Sequence, residues 1–67
     1  MKIEARIKEV HVPIDETTAK VAHQVEYRKS DGGSSWLFHS IYTDEHLARY
    51  VKENIENGEI NVIVMNY

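Results

Sequence analysis

Residues 2–8 alternate strictly between polar and apolar. Ile3, Ala5 and Ile7 fall on one side, and Lys2, Glu4, Arg6 and Lys8 on the other, which is the period of a half-buried β-strand. The apolar phase then shifts, because Val10, Val12 and Ile14 are even-numbered. A β-bulge near Lys8-Glu9 would restore one continuous inward face. The alternative is that the strand stops at Lys8 and a second short segment begins; the bulge is the favoured reading. Pro13 has no N–H for a ladder and marks the strand's end or an edge position. Asp15-Glu16-Thr17-Thr18 reads as a turn. Ala19–Lys29 alternates again, with Val21, His23, Val25 and Tyr27 on one face and Lys20, Ala22, Gln24, Glu26 and Arg28 on the other. Asp31-Gly32, inside the polar stretch 30–34, supplies the positive φ angles of a type I′ hairpin turn.

Residues 35–42 are apolar on both faces. A two-residue loop at Asp31-Gly32 predicts Tyr27 opposite Trp36 and Val25 opposite Phe38. Trp36, Phe38 and Tyr42 then join the core side, and Leu37, His39 and Ile41 take the other. A one-residue change in the turn would exchange the faces. Thr43 reads as a helix N-cap, with Asp44 and Glu45 favourable at the positive end. Leu47, Tyr50, Val51 and Ile55 have the spacing of one buried stripe, bordered by Ala48 and Asn54. Glu45–Arg49, Arg49–Glu53 and Lys52–Glu56 are opposite-charge pairs four residues apart, suited to a solvated face. Asn57-Gly58 ends the helix, with Gly58 at the left-handed position after the cap. Residues 59–67 read as a last strand with two apolar faces: Ile60, Val62 and Val64 on one, Ile63, Met65 and Tyr67 on the other.

The predicted fold class is therefore α+β: a single domain over 1–67, with a four-stranded sheet in the order β-β-β-α-β and one helix packed on one face. The helix returns the chain, so the last strand should run parallel to the third through a right-handed crossover. It could land beside the third strand or beside the first; the order 3-2-1-4 is preferred. Either way one sheet face stays open. That face is predicted to carry the Lys2–Lys8 and Lys20–Arg28 polar rows, together with Leu37, His39, Ile41, Ile63, Met65 and Tyr67.

Composition changes this picture in few places. The chain has 67 residues, 42% hydrophobic and 28% charged, which is globular rather than disordered material. A chain this short buries only about 60% of its unfolded surface and is marginal in stability. It has no cysteine, so neither a disulfide nor a thiolate zinc site can support it; association remains, which favours a homodimer. The net charge of −3 gives no general attraction to nucleic acid. Residues 43–67 are acidic, with Arg49 and Lys52 against Asp44, Glu45, Glu53, Glu56 and Glu59. Met1-Lys2 leads directly into alternating residues, without the apolar run of a leader, and no stretch is long and apolar enough to span a membrane. A cytoplasmic location is the expectation.

Candidate chemistry is thin. His11, His23, His39 and His46 form no tight ligand pair, so no metal is expected. The helix carboxylates lie on a solvated side and are paired. Ser34, Ser35 and Ser40 lack a His/Asp arrangement, and Asp31-Gly32-Gly33 is not a phosphate loop. No catalytic residue and no cofactor is assigned, and the chain is read as a non-enzyme. The preferred function is a protein–protein interaction module, a homodimer or an accessory or inhibitory subunit of a larger protein. It would bind through Leu37, Ile41, Ile63, Met65 and Tyr67, with Trp36 as an edge anchor. The alternative is a single-stranded nucleic-acid-binding domain using Lys2, Arg6, Lys8, Lys20 and Arg28.

Overall fold

The computed structural model describes residues 2–30 and 35–62. Four elements follow in order: β1 (Ile3–Pro13), β2 (Ala19–Lys29), β3 (Leu37–Tyr42) and α1 (Glu45–Glu56). The strands form an antiparallel sheet of order β1-β2-β3, and α1 lies mainly over β1 and β2, touching β3 least. The class is α+β, and among the described residues the sheet has three strands. Of the expected fourth strand, residues 59–62 form no strand and residues 63–67 lie outside the described residues. The hairpin turn at Asp31-Gly32 also lies outside them.

The Ile3–Pro13 strand pairs with β2 without interruption, from Ile3 opposite Lys29 to Pro13 opposite Ala19. The bulge expected near Lys8-Glu9 is therefore absent, and so is a break there. The shift of apolar phase has another cause. The helix covers one end of a long hairpin, so Ile3, Ala5 and Ile7 face α1 while Val10 and Val12 fall on the opposite side, level with Ala22 and Lys20. The turn at the far end is closed by Asp15, whose Oδ1 accepts from the backbone N–H of Thr17 (2.9 Å) and Thr18 (2.8 Å) and from Thr17 Oγ1 (3.1 Å). These donors, the Thr17 backbone first, hold the Asp15 carboxyl below its ordinary pKa.

The bulge lies in β3 instead. Val25 pairs with Ser40, but Glu26 pairs with Phe38 and Tyr27 with Leu37, leaving His39 as the extra residue. The expected pairings of Tyr27 with Trp36 and of Val25 with Phe38 are thus overturned. Leu37 shares the helix-side face with Tyr27, whereas Trp36 and Phe38 turn to the uncovered face. His39 takes an edge-to-face position against Tyr27, with ring centroids 6.1 Å apart, and its Nδ1 lies 2.7 Å from Ser40 Oγ.

The core is built from Ala5, Val25, Tyr27, Ala48, Val51 and Ile55, with Ile3, Ile7, Tyr42, Ile60 and Val62 packed around it. The buried helix stripe is centred on Ala48, Val51 and Ile55. Leu47 and Tyr50, expected inside it, are 44% and 64% exposed. The side chain turned fully to the sheet is the small Ala48, which lets helix and strands approach closely and rotates Leu47 and Tyr50 onto a flank. The expected Glu45–Arg49 and Lys52–Glu56 pairs form, at 3.1 and 2.8 Å. Asp44, not Thr43, is the N-cap, accepting from the N–H of His46 (2.9 Å) and Leu47 (3.4 Å). Asp44→Ala is expected to lower the unfolding free energy by about 1 kcal/mol and Thr43→Ala by clearly less, as chemical denaturation of the two variants would measure. Gly58, at φ +86°, closes the helix in the left-handed region that a side chain would strain.

Candidate functional site: the uncovered sheet face

Alternation on β1 and β2 places Lys2, Glu4, Arg6, Lys8, Val10 and Val12 from one strand beside Lys20, Ala22, Gln24, Glu26 and Arg28 from the other. The β3 bulge adds Trp36, Phe38 and Ile41. This face divides into two zones.

The first zone is an ion-pair grid. Glu4 stands opposite Arg28 and Arg6 opposite Glu26, so charge alternates across and along the strands. Arg6 Nε donates to Glu26 Oε1 at 2.8 Å, Arg28 Nε donates to Glu4 Oε1, and Gln24 Nε2 donates to Glu26 Oε2 at 3.0 Å. Trp36 packs on this grid, with the guanidinium carbons of Arg6 and Arg28 at 4.2 and 4.4 Å from its ring centroids, a geometry in which the ring quadrupole attracts the cations. Glu26 is buried. Burial pushes its carboxyl pKa up, but the hydrogen bonds from Arg6 and Gln24 and the positive charges of Arg6 and Lys8 outweigh it, and the net shift is downward. Trp36 therefore lies over the polar grid, on the sheet face opposite Tyr27.

The second zone is apolar. A groove of about 250 Å3 opens at the far end of the hairpin, lined among others by Val12, Ile14, Ala22 and Ile41, with Lys20 at its rim. Ala22 is 3% exposed, whereas Val12, Ile14 and Ile41 are 41%, 60% and 43% exposed. A small side chain set among larger ones makes the floor of the depression. Phe38, 59% exposed, extends this surface along β3.

The expected site residues divide accordingly. Ile41 lies in the apolar zone. Trp36 is on the face but covered by guanidinium groups, and Leu37 is on the other face. Ile63, Met65 and Tyr67 lie outside the described residues. Of the basic residues, Arg6 and Arg28 are engaged in the grid, while Lys2, Lys8 and Lys20 are exposed at its margins. Val10, Val12, Ile14 and Phe38 were missed. The first three were hidden by the bulge invoked to turn them inward; their shift of phase was itself the signal. Among the described residues, no cluster of three or more His, Cys, Asp or Glu side chains is placed to hold a metal ion, and no helix is long and apolar enough to cross a membrane.

Charge separates this face from the rest of the surface. It holds five cations (Lys2, Arg6, Lys8, Lys20, Arg28) and two anions (Glu4, Glu26), a net +3. The whole chain carries −3. At the groove the neighbouring cation is Lys20, while Asp15 and Glu16 follow Ile14 in the chain and Asp44 follows Thr43. Comparison with protein-family models, with curated protein sequences and with solved structures returns no match for this chain.

Proposed function

We propose that the protein acts by binding another protein through the uncovered sheet face, as an accessory or inhibitory subunit, with Phe38, Ile41, Val12 and Ile14 as its apolar contacts. The supporting observation is the groove over Ala22, which leaves Val12, Ile14 and Ile41 in solvent, with Phe38 exposed on the same sheet face. A symmetric face-to-face homodimer is the weaker form of this reading. It would set one +3 surface against another, which disfavours self-pairing at short range where salt screens little. A strand formed by the C-terminal segment would extend the sheet beyond three strands and enlarge the same face. Nucleic-acid binding has less support, since Arg6 and Arg28 are paired to carboxylates and Trp36 is covered by them, removing the stacking platform that single strands use.

Affinity purification from the native cell, comparing the wild type with Ile41→Asp and with Tyr50→Asp, tests the proposal. Proteins retained by the wild type should be lost with Ile41→Asp and kept with Tyr50→Asp, with unchanged far-UV dichroism for both variants. Loss with Tyr50→Asp and retention with Ile41→Asp would move the interface to the helix flank.

A further inference from the structure

We infer that the partner segment is acidic and carries one bulky aliphatic or aromatic side chain, which seats in the groove over Ala22 while its carboxylates meet Lys8 and Lys20. The inference rests on the interaction reading above and adds the chemistry of what is bound. Three features of the face carry it.

The groove is lined mainly by apolar carbon over a buried alanine, with Tyr42 and Thr43 at its margin, and its volume of about 250 Å3 suits a single large side chain rather than a cofactor, which needs several hundred Å3 and deep enclosure. The neighbouring cations are arranged around it. Lys20 lines the groove itself, opposite Val12. Lys8 stands opposite Gln24, one same-face position along β1 from Val10. Both lysines are exposed and make no ion pair among the described residues. The two face carboxylates, Glu4 and Glu26, are already held by Arg28 and Arg6. A cation bound beside Glu4 or Glu26 would therefore find its acceptors occupied, whereas a bound carboxylate meets two ammonium groups without an ion pair, Lys8 lending Glu26 only a longer-range attraction.

Selection of a random-peptide library displayed on phage, against the immobilised full chain, tests this. Enriched peptides should be net acidic with at least one bulky apolar residue. Their affinity, measured with synthetic copies, should fall about tenfold or more with Lys8→Glu/Lys20→Glu and as the salt concentration rises. It should also fall with Ala22→Leu, which fills the groove from its floor; far-UV dichroism and Trp36 emission report that each variant remains folded. Peptides without acidic bias that still require Ala22 would overturn the acidic partner while leaving the interface reading in place. No enrichment, or binding indifferent to all of these variants, would overturn both. Oligothymidylate displacing the peptides at lower concentration than they bind would overturn the inference in favour of a nucleic acid. A sedimenting dimer of the wild type abolished by Ala22→Leu would overturn it in favour of a second copy of this chain.

Discussion

Ile55→Ala is expected to leave a large fraction of the chain unfolded at room temperature. Ile55 is 2% exposed and sits at the helix end of the core, against Val51 and the strand residues Ala5, Val25 and Tyr27. Removing buried aliphatic carbon from such a site costs about 2–5 kcal/mol, the upper part of that range applying where the surroundings cannot collapse. The total available is small. A domain of 67 residues has an unfolding free energy of about 3–10 kcal/mol by the usual per-residue range, and this core contains two alanines among its six buried members. One substitution can therefore consume most of the stability. The comparison is Tyr50→Ala on the same helix. Tyr50 is 64% exposed, and its loss should cost no more than about 0.5 kcal/mol. Urea denaturation followed by far-UV dichroism separates the two. Equal midpoints for Ile55→Ala and Tyr50→Ala would mean that the helix presents a different stripe to the sheet.

The same packing decides what could be read from residue order. β2 carries one uninterrupted alternation and was legible with both its ends, and α1 was legible because acidic residues open it and Asn57-Gly58 closes it. The rotation of α1 was not. Leu47 and Tyr50 are more apolar than Ala48, so hydrophobic spacing favours them, but close approach to a sheet rewards the smallest side chain. The faces of β3 were lost for a different reason. One extra residue at His39 exchanges every side chain between it and the turn, and nothing in the local composition marks a bulge there. The exchanged arrangement sets the ring of Trp36 over Arg6 and Arg28, a contact that favours it. In β1 the change of phase is visible in the residue order, and it marks the two faces of one uninterrupted strand. A helix of 12 residues cannot cover strands of 11, because it rises less than half as far per residue. Past the helix's reach the helix-side face has nothing to bury its side chains against, and Val10 and Val12 fall on the opposite face, where the candidate site lies.

Glu26→Gln is expected to remove about 1–2 kcal/mol at neutral pH and to flatten the acid limb of the stability curve. Two charge-assisted contacts end on this carboxylate, from Arg6 at 2.8 Å and, through the other oxygen, from Gln24 at 3.0 Å. Hydrogen bonds to charged groups contribute about 1.5–3 kcal/mol, and the figure is reduced here because the Arg6 side chain is 44% exposed and partly screened. The sign with pH follows from the depressed pKa. Desolvation raises it, the contacts lower it further, and the folded value lies below the ordinary 4.5. The carboxylate's contribution is thus fully present above about 4.5 and is lost as the pH falls through the folded value. Wild-type stability should fall across that interval, and Glu26→Gln, with nothing to protonate at this position, should fall less steeply. Trp36 is the single tryptophan, so its emission reports the grid directly. Protonating Glu26 weakens the hold on Arg6 and should shift that emission over the same interval, before far-UV dichroism is lost. Superimposable acid limbs for wild type and variant would show that Arg6 and Glu26 are not coupled in solution. The Trp36 ring over the grid would then stand on the Arg28–Glu4 pair alone.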